Sequence, residues 1–401
     1  MFGLVRLIAV LLAWFSKHPL KFIKHPDAGV LIDQLVPKYG YPLEEHSLTT
    51  TDGYILVMYR IPYGKNHNTT NPYPVLMVHG AIGNPESFLS PSPHAGTAWY
   101  LADKGFDVWL LGIRGSTKSR KHRSLDPDRD RAFWEFGIHE IGIYDLTAAI
   151  DYILSRTNKN KLFYIGYSQG TTAFLIMASV LPDYNDKISL GLNIAPCAFM
   201  NYNPSTVFRF ISTQWELLKH ILDTLGLHEI PSLSAANFIK DTMGLLCSEQ
   251  TIFKDLCFII IYTGGEDTGQ INSLTPQLLF TQIPSTTSQR PFLHFLQLMK
   301  SEEFLYYDFG REENLKRYGR SKPPVYKLED IRIPTAYVYS EHDTFCDAKG
   351  ARKIIERTSS KHVHRIQVPF GHVDFIMSDN LIQQVGEPIY NFLINYTADI
   401  K

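Results

Sequence analysis

Two short runs in the first third of the chain are apolar at nearly every position rather than at every second one. Pro74-Val-Leu-Met-Val-His-Gly-Ala breaks off in a His-Gly turn, and Phe106-Asp-Val-Trp-Leu-Leu-Gly repeats the pattern after a short helical stretch. Such runs predict parallel strands buried on both faces. Leu162-Phe-Tyr-Ile-Gly-Tyr-Ser-Gln-Gly-Thr-Thr-Ala-Phe-Leu-Ile-Met-Ala then reads as strand, sharp turn and helix in direct succession. Late in the chain, Pro334-Thr-Ala-Tyr-Val-Tyr-Ser-Glu-His-Asp is a strand ending in an acid, and His364-Arg-Ile-Gln-Val-Pro-Phe-Gly-His is one ending in a histidine. Strands alternating with helices imply a βαβ sheet. Polar groups just past the carboxyl ends of its strands stand where such sheets collect function. Between Ala195 and Asp330 the rhythm gives way to helical patterns, such as Ser205-Thr-Val-Phe-Arg-Phe-Ile-Ser and Phe292-Leu-His-Phe-Leu-Gln-Leu-Met. The expected organisation is a catalytic core in two parts, 19–195 and 331–401, with a largely helical cap inserted at 196–330.

The bulk composition narrows the field. A chain of 401 residues can hold one large core and a subsidiary unit. With Lys+Arg 39 against Asp+Glu 40 there is no global field to attract nucleic acid. Arg6 precedes an apolar run from Leu7 to Phe15, short for a membrane span and suited to a signal peptide over 1–18. Trp14 and Phe15 crowd the place of a small-x-small cleavage site, which leaves an uncleaved membrane anchor as the alternative. Sequons at Asn68 and Asn395 agree with the secretory route and a secreted or lysosomal destination. Of the 4 cysteines, Cys247 and Cys257 close a short loop suited to a disulfide, while Cys197 and Cys346 are expected to stay free.

Chemistry enters at Gly166-Tyr-Ser-Gln-Gly. Glycines two residues either side of the serine permit the strained strand-to-helix turn of an α/β-hydrolase nucleophile elbow, so Ser168 is the candidate nucleophile with Gly166 and Gly170 as its flanking pair. A serine hydroxyl needs a histidine to take its proton and a carboxylate to hold that histidine, in the chain order Ser, acid, His. Asp343 and His372 fit the order, each in a turn after a strand. Asp374 and Asp347 are rival acids, the first too near His372 in sequence and the second farther past the strand end; His342 reads as structural. Oxyanion donors are expected from the N–H groups of Gln169, after the nucleophile, and Ala81, after His79-Gly80. No HExxH, CxxC or Gly-rich dinucleotide fingerprint is present, and the chemistry calls for no metal or cofactor.

Longer strings carry a resemblance. His25-Pro-Asp-Ala, Tyr39-Gly-Tyr-Pro-Leu-Glu-Glu-His-Ser-Leu-Thr-Thr-Thr-Asp-Gly-Tyr, Arg114-Gly-Ser-Thr-Lys-Ser-Arg-Lys-His, Tyr307-Asp-Phe-Gly and Gly371-His-Val-Asp-Phe-Ile make nearly the whole chain resemble the acid lipases, which include gastric, lysosomal and insect enzymes. The resemblance implies an α/β-hydrolase core, a cap with a mobile lid, cofactor-free hydrolysis of neutral lipid esters at a lipid–water interface, and a cap disulfide matching Cys247 and Cys257. Three positions depart from the pattern: Ala81 replaces a bulky apolar residue, Ile113 an Asn, and Ile138 a Trp. The exchange at Ile138 bears on the acyl pocket and lid contacts, and with Ala81 it keeps open a short-chain esterase or phospholipase with the same triad; the alternative of another class is a non-catalytic lipid binder.

Overall fold

The computed structural model describes residues 25–65, 73–91, 93–249, 251, 253–262, 267–360 and 363–400. The N-terminal apolar segment and Asn68 lie outside them. Eight strands form one sheet: β1 (Glu44–Thr49), β2 (Ile55–Ile61), β3 (Pro74–Val78), β4 (Asp107–Leu111), β5 (Leu162–Tyr167), β6 (Ile188–Ile194), β7 (Thr335–Tyr339) and β8 (Val363–Gln367). Their spatial order is β1-β2-β4-β3-β5-β6-β7-β8. The β1–β2 and β2–β4 pairs are antiparallel and every other neighbouring pair is parallel.

The expected strands form at the expected places, and their apolar runs serve both faces of the sheet. Val75, Met77, Val108, Leu110, Phe163, Ile165, Ala336 and Val338 point into one core cluster. The residues between them, Leu76, Val78, Trp109, Leu111, Tyr164 and Tyr337, point into the other. Successive strand side chains face opposite ways, so a strand covered by helices on both sides has no polar positions to show.

Helices α1 (Ile32–Lys38), α2 (Thr97–Asp103), α3 (Thr147–Thr157) and α4 (Gln169–Val180) belong to the first part of the core. Between β6 and β7 come α5 (Thr206–Thr213), α6 (Trp215–Thr224), α7 (Leu233–Leu246), α8 (Lys254–Tyr262), α9 (Thr275–Gln282) and α10 (Gln289–Leu298). Three of them begin at serines whose hydroxyls accept a first-turn N–H: Ser205 from Phe208, Ser232 from Ala235 and Ser288 from Arg290. After α10 the chain returns to the core, where Phe304, Tyr326 and Leu328 are buried. It continues through α11 (Arg311–Tyr318), α12 (Ala348–Arg357) and α13 (Glu387–Asn395). Among the described residues no helix is long and apolar enough to cross a membrane.

Candidate active site

The turn from β5 into α4 carries the site. Ser168 has φ 53° and ψ −118°, a conformation that L-residues avoid and that must be held from outside. Its N–H donates to Ile194 O at 3.0 Å, and its carbonyl accepts from Thr171 N at 2.9 Å and Thr171 Oγ1 at 2.6 Å. The flanking glycines are steric necessities. A Cβ on Gly166 would stand 2.8 Å from Gly170 C, and one on Gly170 2.3 Å from Val78 O.

His372 and Asp343 arrive from the ends of β8 and β7. Ser168 Oγ lies 3.0 Å from His372 Nε2, and His372 Nδ1 lies 2.8 Å from Asp343 Oδ2. The second oxygen of Asp343 accepts the N–H groups of Phe345 and Cys346, each at 2.9 Å, so this buried carboxylate is satisfied and aimed at once. Sequence reasoning missed Tyr167, whose hydroxyl donates to the carbonyl of His372 at 2.8 Å. The rival acids are occupied elsewhere. Asp347 caps α12 by accepting from Lys349 N and Gly350 N, and Asp374 accepts from Gly371 N at 2.7 Å. His342 donates its backbone N–H to Ser340 Oγ.

The loop after β3 faces the serine, with Ser168 Oγ 3.5 Å from where a Cβ on Gly80 would stand. His79, fully buried, shapes this loop: its Nδ1–H donates to Gly80 O at 2.8 Å while Nε2 accepts from Ile113 N at 3.4 Å. That pattern requires the neutral ring, and burial brings its pKa down to about 4. The N–H of Gln169 is the first of α4, where a helix leaves its donors without intrahelical partners. Behind the loop that follows β4, Arg114 is wholly buried. It donates to Asp145 at 2.7 Å and to Asp52 at 2.6 and 2.9 Å, and lies 4.0 Å from the centre of the Tyr54 ring. Arg114 opens one of the strings that carry the family resemblance, but its partners lie 31 and 62 residues away, out of reach of a local reading.

Above Ser168 and His372 opens a cavity of about 390 Å³. Its walls are almost wholly apolar and are shared between the core loops and the inserted helices, which contribute Phe208 and Ile211 on α5, Leu279 on α9, and Phe292, Phe295 and Leu296 on α10. Ala81 stands in the wall beside the serine.

Residues 32–92 match the family described as a partial α/β-hydrolase lipase region, and residues 73–228 match the α/β hydrolase fold. Gastric triacylglycerol lipase of Bos taurus is 32% identical over 388 residues, covering 95% of this chain and 94% of the relative. Lipase member N of Homo sapiens is 30% identical, covering 93% of both chains. Drosophila melanogaster Lipase 3 is 33% identical, covering 89% of this chain and 91% of its own. The chain belongs to the acid lipase family. In fold it is similar to a soluble variant of Saccharomyces cerevisiae monoglyceride lipase (TM-score 0.56, 16% identity, 89% of this chain and 98% of the other). A Sulfolobus solfataricus protein matches comparably (TM-score 0.58, 17% identity, 88% and 94%).

Against the acid lipase pattern, the three departures separate. Ala81 lines the cavity, Ile113 offers its backbone to His79, and Ile138 is fully buried in the sheet-side core. Among the described residues Ile138 is absent from the cavity wall, so its exchange is a matter of core packing.

One expectation fails. Cys197 and Cys346 are not free: they pair with each other, their Cα atoms 5.0 Å apart. The reason lies in the sheet, because β6 and β7 are neighbours and the loops leaving their carboxyl ends run side by side. A sequence separation of 149 concealed this. Cys247 and Cys257 are joined as well, at a Cα separation of 5.8 Å. Asp343, Cys346 and His372 have ligating atoms within 4.8 Å of one another. With the thiol spent in a disulfide and both carboxylate oxygens accepting hydrogen bonds, the set does not suit a metal ion. Asn395 is exposed at the end of α13.

Proposed function

We propose that this chain is a serine lipase that cleaves carboxylic esters of neutral lipids, triacylglycerols or sterol esters, through an acyl-enzyme on Ser168. The observation that carries the reading is the continuous relay from Ser168 Oγ through His372 to Asp343 at the floor of an apolar cavity. Ser168 Oγ attacks the ester carbonyl as its proton passes to His372 Nε2. Asp343, accepting from Nδ1, keeps the ring in the tautomer with a free Nε2 lone pair and stabilises the imidazolium. The tetrahedral oxyanion is received by the N–H groups of Ala81 and Gln169. Its collapse breaks the bond to the alcohol, which leaves with the proton from His372. Water then attacks the acyl-enzyme, giving its proton to the same nitrogen; collapse of the second tetrahedral intermediate breaks the Oγ–acyl bond, His372 returns the proton to Ser168 Oγ, and the fatty acid departs.

The segment 196–330 acts as the cap that holds the acyl chain, supported by the apolar walls that its helices give the cavity. Exposed apolar side chains on those helices, Val207, Phe210, Leu217, Phe238 and Ile259, support work at a lipid–water interface. Two disulfides and an exposed Asn395 sequon support passage through an oxidising, secretory compartment, secreted or lysosomal. The small side chain at Ala81 favours one other reading, a pocket reshaped for short or polar esters. Hydrolysis rates on emulsified long-chain triacylglycerol, a sterol ester and a soluble short-chain ester decide between them. Long-chain turnover is expected. Turnover confined to the soluble ester would make the protein an esterase, and none at all would leave a lipid binder.

A further inference from the structure

His372 is restrained from the core side by Asp343 and by the Tyr167 hydroxyl on its carbonyl. Its other restraint comes through Asp374, two residues on and buried. A single oxygen, Asp374 Oδ2, accepts both the Gly371 N–H at 2.7 Å and the Thr268 hydroxyl at 2.5 Å. Gly371 opens the turn that carries His372. Thr268 belongs to the inserted segment, on the stretch between α8 and α9. That stretch is bound along the His372 loop for a further distance: Gln270 O accepts from Asp379 N at 3.0 Å, Gln270 Oε1 from Asn380 Nδ2 at 2.9 Å, and Asp379 Oδ1 from Asn272 Nδ2 at 2.6 Å. The cap and the base-bearing turn therefore share one buried acceptor.

We propose that Asp374 is a positioning residue through which seating of the cap strap Thr268–Asn272 fixes the Gly371–His372 turn, and with it the distance from His372 Nε2 to Ser168. The proposal rests on the serine-hydrolase reading above. A buried carboxylate is stable there because two donors answer it; burial pushes its pKa up, and Thr268 and Gly371 draw it back. When Thr268 withdraws, Gly371 is the donor left to this oxygen among the described residues, and the carboxylate gains freedom to turn toward water and release the turn.

Because one oxygen takes both bonds, geometry rather than charge is what the site requires, and paired variants separate the two. Thr268→Val should lower kcat on a soluble short-chain ester, and the rate of fluorophosphonate labelling of Ser168, by about fivefold, the worth of one net hydrogen bond, and Asp374→Ala, which removes both bonds, by more than that. KM should stay unchanged. Thr268→Ser and Asp374→Asn, which keep a donor and an acceptor oxygen, should restore both rates. Parental rates in Thr268→Val would overturn the proposal, as would an Asp374→Ala variant that loses thermal stability while its kcat and labelling hold. Ser168→Ala is measured in parallel: turnover that survives there sinks the hydrolase reading itself, a result distinct from any obtained with the strap variants.

Discussion

His294 sits in α10 with its ring fully buried, donating Nε2–H to Leu305 O at 2.8 Å. Burial brings its pKa down to about 4 from an ordinary 6.5. The unfolded chain therefore takes up a proton below about pH 6.5 that the folded chain refuses until about pH 4. Stability from this group is fully present above pH 6.5 and is lost as pH falls through the window from 6.5 to 4. Linkage with those two values gives about 2 kcal/mol lost between pH 7 and pH 4.5. His294→Gln keeps a donor for Leu305 and does not titrate. Urea unfolding of parent and variant at both pH values measures the difference directly. The parent should lose about 2 kcal/mol more than His294→Gln on acidification. Equal losses would refute the reasoning. His294 lies on the same helix that presents Phe292 and Phe295 to the cavity.

Other consequences are equally open to measurement. Asp343→Asn, which turns an orienting acceptor into a donor, should cut kcat by roughly 10³–10⁴ while fold and KM survive; a loss under tenfold would contradict the assigned role. Removing the Cys197–Cys346 bridge as a double alanine variant opens a loop of 149 residues and should cost about 5 kcal/mol on the chain-entropy account, against about 3 kcal/mol for the Cys247–Cys257 loop of 10. Denaturant midpoints that rank the pair the other way would count against that account. Arg114→Met leaves Asp145 buried beside no cation and should destabilise by about 3–5 kcal/mol, read by the same unfolding assay.

What could be read from the sequence was local. Every strand predicted as a buried run exists, because a strand covered on both faces writes its burial into consecutive residues. Ser168, Asp343 and His372 could be proposed together because each stands in a turn beyond a strand's carboxyl end, and parallel neighbours deliver those ends to one edge of the sheet. Nothing comparable marked contacts made across the fold. Cys197 and Cys346 meet only because β6 and β7 are adjacent. Tyr167 reaches the carbonyl of a residue 205 positions on, and Thr268 finds a carboxylate 106 positions away. Asp374 shows the limit well: its closeness in sequence to His372 spoke against it as the orienting acid but gave no sign of the bonds it makes to Gly371 and Thr268. Ile138 shows the opposite error, a departure from family pattern taken as a pocket change that proved to lie in the core.

The central claim is that Ser168 is an activated nucleophile served by His372. Its most direct test is mass-spectrometric mapping of a fluorophosphonate adduct on the folded protein, with Ser168→Ala and His372→Ala alongside. The account predicts one adduct per chain on Ser168, none in Ser168→Ala, and labelling of His372→Ala slowed by orders of magnitude. An adduct on another residue, or labelling unchanged without His372, would contradict it.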